Sequence, residues 1–448
     1  MRKHLPLLLL LLAYLFVGAL YASQTPDWQA PDEPAHYNYI RQLASGTMPV
    51  LEPGDYNQEY QSLVISSQFD EQYSVESFEY QDYQPPLYYL VQTPIFLLFD
   101  DALLALRLVS VVLGLGIISL TYFIVLSLLP ERQWLALLAA AFVAFLPQHT
   151  AMMAAVNNDN LAELLIAAIL LVTISLLISG RQAKLEQQRT RLVILGLLLG
   201  LGFLTKVSVY IMAPLVGFAL LWIFWGRWRD FWRGALLVFG PALFLGLLWW
   251  VRNAIVYGGL DFLGTAAHNQ IVVGQPRTSE WIADFGLADT LRSFVQTTFQ
   301  SFWGQFGWMG VVMPSWIYQL LFLFTLAAFG GLIWAVIQYW NDSRSNEAEE
   351  NVHDASWKAP ALILAGTFTL SMLVYLSYNL TFVQHQGRYL FPALIPISLG
   401  FALGLVVIAR PVTQRWPSTV KLLPLVVALA LISLDILALF RFIVPSLT

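Results

Sequence analysis

The chain has 448 residues, 58% hydrophobic and 11% charged, with a mean hydropathy of +0.65 and a formal net charge of −5. A soluble globular chain carries about a quarter charged residues, so this composition excludes a soluble enzyme built round one apolar core. Cysteine is absent, which removes disulfides, thiolate metal sites and cysteine nucleophiles from consideration.

In chain order, Arg2-Lys3-His4 followed by the apolar run Leu5 to Ala22 predicts a signal anchor kept in the membrane. The run is longer than a signal-peptide core and has only a weak small-residue site near Ala22-Ser23. A spanning helix takes about 20 mainly apolar residues. Further spans are expected at 103–129, 133–154, 159–179, 192–208, 209–225, 234–251, 316–339, 360–380, 388–409 and 421–443, eleven with the first. The segment 85–99 has too short an apolar part to cross comfortably, and charge decides its fate. If it stays at the interface, Arg2, Lys3, Arg132, Arg181, Lys184, Arg189, Arg191, Arg227, Arg229, Arg233, Arg344, Lys358, Arg410, Arg415 and Lys421 all fall in short inner loops. Those are fifteen of the 23 Lys and Arg residues, the distribution the positive-inside rule demands. The expectation is therefore an all-α, multi-pass protein of the plasma (inner) membrane, with its N-terminus cytoplasmic and its C-terminus outside.

Two outer loops are long. The first, about residues 23–102 with the interfacial segment 85–99 at its end, holds eleven Asp and Glu between Ser23 and Gln84 against the single Arg41. The second, about residues 252–315, is rich in glycine and aromatics, and Phe302-Trp303-Gly304-Gln305-Phe306-Gly307-Trp308 reads as an interfacial aromatic belt. The inner stretch Asn341 to Ala355 reads as a polar linker. No internal repeat is visible, which weighs against a transporter made of two similar halves.

The residues able to carry chemistry gather at the outer face. Pro31-Asp32-Glu33-Pro34, with Gly46 beyond, are helix start and stop signals, and Asp32 and His36 would share one helix face. The plainer role for such acids is to complement the helix dipole. Asp82-Tyr83-Gln84-Pro85-Pro86-Leu87-Tyr88-Tyr89 supplies another carboxylate. Lys206, Arg252 and Arg388 fall at outer ends of spans and Arg107 near the outer start of one. Each alone could snorkel, but several converging cations could hold a phosphate. In Asn157-Asn158-Asp159-Asn160 a helix cap is the favoured role, and Asp435 is a lone intramembrane acid. Carboxylates facing cations at the outer surface suit transfer from a phosphate-bearing lipid: a general base for an acceptor hydroxyl and cations for the departing phosphate.

With these residues in place, the sequence resembles the GT-C superfamily of polyprenyl-phosphate-sugar glycosyltransferases, which includes protein O-mannosyltransferases and aminoarabinose transferases. The resemblance lies in Asp32-Glu33, in Gln84-Pro85-Pro86-Leu87-Tyr88-Tyr89, in Arg107-Leu108-Val109-Ser110 with Gly114, in Asn158-Asp159-Asn160, and in Gly200-Leu201-Gly202-Phe203-Leu204-Thr205-Lys206. Trp250-Val251-Arg252-Asn253, Phe306-Gly307-Trp308 and Gln386-Gly387-Arg388-Tyr389 are closer to a bacterial family of GT-C-like membrane proteins without an assigned function.

The resemblance implies a single GT-C-like domain over residues 1–448 and sugar transfer from a polyprenyl-phosphate donor to a glycan, lipid or protein acceptor. It implies Asp32 as catalytic carboxylate with Glu33 and Asp82 in support, and Lys206, Arg252, Arg388 and Arg107 as donor-phosphate binders. His36, Tyr88, Asp159 and Trp308 are candidate acceptor or sugar contacts. Some members use a divalent metal and others do not; Asp32, Glu33 and His36 could ligate one. Gln84 stands where aminoarabinose transferases usually have lysine. No nucleic-acid partner is expected. The alternative is a transporter, flippase or polymerase of lipid-linked or polyanionic glycans, and a non-enzymatic scaffold is a third reading.

Overall fold

A computed structural model describes residues 4–100, 102–180, 183–345 and 352–448 of the chain. Arg2, Lys3, Arg181 and the side chain of Arg344 lie outside the described residues. So does the middle of the expected linker, because helices extend into it from both sides.

The first apolar run forms α1 (Leu5–Gln24), and the first outer loop carries α2 (Glu33–Ala44) and α3 (Gln58–Ser66). The doubtful segment becomes α4 (Leu87–Leu98), and α5 (Leu103–Leu128) follows. At 1.5 Å per residue the twelve residues of α4 span about 18 Å, short of the ~30 Å hydrocarbon core. Tyr88 bonds Ser110 and Gln92 bonds the carbonyl of Leu106, so α4 runs antiparallel to α5. The Tyr88 end of α4 lies about two helical turns down α5 rather than flat at the interface.

The expected span at 133–154 is broken into α6 (Gln133–Ala144) and α7 (Pro147–Met153), bent by 66°. Pro147 cannot donate to the preceding turn and starts α7 instead. Next come α8 (Asp159–Ile178), α9 (Leu185–Phe203), a 3-10 turn at Val207–Ile211, α10 (Met212–Ile223) and α11 (Trp228–Val256). The second outer loop holds α12 (Thr265–Ile271), α13 (Thr278–Phe285), α14 (Leu287–Trp303) and a small hairpin of β1 (Gln305–Phe306) and β2 (Val311–Val312). The hairpin pairs Gln305 with Val312 and Phe306 with Val311. The rest is α15 (Ser315–Ser345), α16 (Val352–Thr381), a 3-10 turn (Gly387–Ala393), α17 (Leu394–Arg415), a second turn (Pro417–Leu422), α18 (Leu423–Leu437), a π-helical stretch (Ala438–Ile443) and α19 (Val444–Leu447).

Among the described residues, eight helices are long and apolar enough to span a membrane, or nine if the bent α6–α7 pair is one span. The expected spans at 192–208 and 209–225 fall on α9, whose first turns carry Glu186, Arg189 and Arg191, and on a shorter apolar helix over Val207–Ile223. Eleven spans are thus not reached by length and composition. The aromatic belt is also corrected: Trp303 and Phe306 are buried, and Trp303 packs on Phe142, Phe324 and Phe401.

One core runs through α1, α5–α9, α17 and α18. It contains polar groups that composition conceals. His149 bonds Glu163 at 3.1 Å, both buried, and Tyr21 donates to the main-chain carbonyl of Asp435. Neither carboxylate oxygen of Asp435 has a hydrogen-bond partner among the described residues.

Candidate active site

The end of α1, the starts of α2, α4 and α8, the end of α9 and the 3-10 turn at 387–393 meet at one end of the bundle. Asp32 stands at the entry to α2 with φ of 68°, in the left-handed region that Asp tolerates better than most residues, at a cost of about 1 kcal/mol or more. Its side chain makes no cap. Oδ2 accepts from Arg388 Nη2 at 2.9 Å and Oδ1 from the Tyr80 hydroxyl at 3.0 Å. Burial favours the neutral acid, but the Arg388 charge and the two donated hydrogen bonds outweigh it and hold Asp32 below its usual pKa. His36 pairs with the Tyr89 hydroxyl at 2.8 Å, and burial takes its pKa down to about 3, leaving the imidazole neutral.

Glu33 faces the other way. It is fully buried and receives Nε and Nη2 of Arg107 at 2.8 and 2.6 Å, with the Val156 N–H on Oε1. Arg107 also donates to the carbonyls of Ala22, Thr25 and Pro26. These donors are spent on the protein, so Arg107 is a buried staple between α1, α2 and α5 rather than a free phosphate binder. Tyr88, expected as a substrate contact, is likewise sealed in: its hydroxyl takes the Asn157 N–H and bonds Ser110 and Gln92.

Lys206 closes the end of α9 and meets Asp159, the first residue of α8, at 2.8 Å. Asp159 is therefore an ion-pair partner, while Asn157 Oδ1 accepts the Asp159 N–H. Lys206, Asp159 and Arg388 line one cavity of about 120 Å³. Ser208, Ser371, Tyr375, Tyr378 and Tyr389 line it too. Val374, also on its wall, is 53% exposed on the apolar flank of α16, so the cavity opens sideways. Arg388 is aimed by Gln386, whose Oε1 accepts Nε at 2.7 Å. Behind it, Ser301 of α14 receives the Gly387 N–H.

The other expected residues stand outside this cavity. Arg252 bonds the carbonyl of Pro49 and Asn253 Oδ1 and lies over the Trp249 ring. Asp82 accepts from Gln42 at 2.7 Å, and burial raises its pKa to about 8. Trp308 donates to the carbonyl of Trp28 and leans on Phe69. Among the described residues no three His, Asp or Glu side chains stand together to hold a metal ion. Asp32, Glu33 and His36 do not converge, because Glu33 turns to Arg107 and His36 to Tyr89.

Sequence reasoning missed Tyr80, Gln386, Ser208 and Ser371. Gln386 was within reach, two residues before an arginine at a span end, but a tyrosine in an acidic loop and a serine in an apolar helix carry no local signal.

The architecture and the site define a class, a polytopic membrane protein with a carboxylate–cation site at one end of its bundle. Residues 83–250 match the family model for dolichyl-phosphate-mannose-protein mannosyltransferases. The fold is similar to that of ArnT from Cupriavidus metallidurans, in the apo state at 16% identity with a TM-score of 0.50. Against the same protein bound to undecaprenyl phosphate the identity is 16% and the TM-score 0.47. Each alignment covers 98% of this chain and 73% of the other. No curated protein matches the sequence. The family match covers less than half of the chain, and at 16% identity the likeness to ArnT shows the fold alone.

Proposed function

We propose that Asp32 is the general base of a sugar transfer and that Lys206 and Arg388 hold the donor phosphate. The observation that carries this is the ionised Asp32 at 2.9 Å from Arg388, an arginine that lines a cavity together with a second cation, Lys206. An acceptor hydroxyl gives its proton to Asp32 as its oxygen attacks the anomeric carbon. The carbon–oxygen bond to phosphate breaks, and polyprenyl phosphate leaves with its negative charge met by the two cations. A polyprenyl phosphate of the kind bound in the ArnT structure is the donor lipid of this reading. The sugar is a hexose or pentose, the acceptor approaches from the outer loops, and the site faces the extracytoplasmic side of the inner membrane. Residues 1–448 act as one unit.

The test is transfer from a panel of polyprenyl-phosphate sugars by purified full-length protein, with membrane extract as acceptor. Asp32→Asn should lower turnover by about 10²–10⁴-fold while polyprenyl-phosphate binding persists, and Lys206→Ala should weaken that binding. Equal turnover by wild type and Asp32→Asn would remove Asp32 from the mechanism.

A further inference from the structure

The start of α11 lies at the end of the bundle opposite Asp32. Helices α9 and α11 run side by side in the same direction, Gly196 against Val238 and Gly200 against Ala242, and Lys206 follows the far end of α9. At the near end Arg227, just before α11, donates to the carbonyl of Ala183, just before α9. There the rings of Trp225, Trp228, Phe231 and Trp232 form a ladder with successive centroids 6.2, 5.8 and 5.1 Å apart. All three tryptophans are exposed, Trp232 to 68%. Arg227 is taken by Asp230 at 3.7 Å. Arg229 and Arg233, one turn apart and both exposed, have no ion-pair or hydrogen-bond partner among the described residues.

With 3.6 residues per turn, Trp228, Trp232, Arg229 and Arg233 share one side of α11. The same side continues through Leu236, Gly240, Leu243 and Leu247, and its leucines are all exposed on a helix apolar enough to span a membrane. Gly240 leaves a notch in it. A Cβ there would meet nothing nearer than Leu236 Cδ1 at 3.7 Å, so no neighbouring helix requires a residue that is unfavourable inside a helix. Arg233 to Leu247 covers about 21 Å, enough for one leaflet of a hydrocarbon core of about 30 Å. Cations, indole rings at interface depth and a notched apolar track thus follow one another in the order of a phospholipid's own groups.

We propose that this side of α11 binds one anionic phospholipid of the adjoining leaflet, its headgroup phosphate on Arg229 and Arg233 and its acyl chains along Leu236, the Gly240 notch and Leu243. Two free cations, with Asp230 turned to Arg227, favour a headgroup of net negative charge over a zwitterionic one, whose own ammonium would face them.

Native mass spectrometry of the full chain in mild detergent tests this, after incubation with equimolar phosphatidylglycerol and phosphatidylcholine and, separately, with added inorganic phosphate. Wild type should retain phosphatidylglycerol over phosphatidylcholine by about fivefold for each arginine. Arg229→Gln combined with Arg233→Gln should abolish that preference and leave the melting temperature unchanged. Gly240→Leu, which fills the notch, should lower retention of both lipids and keep the preference. Equal retention of the two lipids by wild type, or an undiminished preference in the double variant, would overturn the site. Displacement of the lipid by inorganic phosphate would make it a site for a free anion instead, and conversion of a dimer to a single chain by the double variant would make the face a contact between copies; either result also overturns it.

Discussion

Asp32 and Glu33 are adjacent acids with opposite surroundings, and the difference predicts different phenotypes. The Asp32 side chain is 25% exposed and Glu33 is not exposed at all. Glu33→Gln should leave the buried Arg107 with only the exposed Asp27, 3.7 Å away, as a charged partner, costing about 3–5 kcal/mol. It should therefore lower the melting temperature in detergent, whereas Asp32→Asn should lower turnover with little change in melting. A thermal-shift comparison of the two variants decides this.

Asp82 adds a pH signature. Its folded pKa, raised to about 8 from 3.8, means the fold prefers the neutral acid, so its contribution to stability is full below about pH 4 and is lost as pH rises through about 8. Wild type should lose stability from pH 6 to 9, and Asp82→Asn should flatten that slope. Parallel slopes in the two proteins would show that Asp82 is not held neutral. The Asp-Glu pair directly after a span drew attention to the entry of α2 from the sequence alone. Which of the two acids pairs with the cavity-lining arginine was not legible, because it depends on one left-handed residue and on Arg388, 356 positions away.

At the scale of elements, close backbone approaches fix the site. A Cβ on Gly387 would stand 2.3 Å from the Thr298 carbonyl oxygen and 2.5 Å from the Phe302 nitrogen, so α14 and the turn bearing Arg388 tolerate only hydrogen there. Gly387→Ala should cost about 1–3 kcal/mol through overpacking and weaken lipid binding together with stability. Melting and binding measured on one preparation test the coupling; a change in neither would mean the turn yields freely. That 85–99 is a short helix of its own was legible from its brief apolar run. Its antiparallel seat on α5 was not, because that depends on Tyr88–Ser110 and Gln92–Leu106 contacts that no local pattern encodes. The break before Pro147 was hidden by continuous hydropathy on both sides of it.

For the whole molecule, the natural lack of cysteine makes the orientation directly testable. Ser62→Cys on exposed α3 should react with a membrane-impermeant maleimide on intact cells. Gln187→Cys, on the exposed first turn of α9, should react only after permeabilisation. The reverse pattern would place the site in the cytoplasm. The overall class was legible because a 58% apolar chain with sparse charges has little choice but to span a bilayer repeatedly. The number of spans was less legible, since α9 and its neighbour mix charges or turns into apolar runs that a sliding count joins or divides.

The sideways opening of the cavity at Val374 has a kinetic consequence. If the donor enters through that flank, it arrives by diffusion within a two-dimensional leaflet, so its working concentration is a mole fraction among lipids and not a molarity in water. In vesicles of fixed donor content, adding inert phospholipid should slow transfer by surface dilution, while a tenfold larger aqueous volume should leave the donor dependence unchanged. Apparent affinities from detergent micelles will accordingly scale with the detergent-to-donor ratio, and constants from different preparations become comparable only after that ratio is fixed.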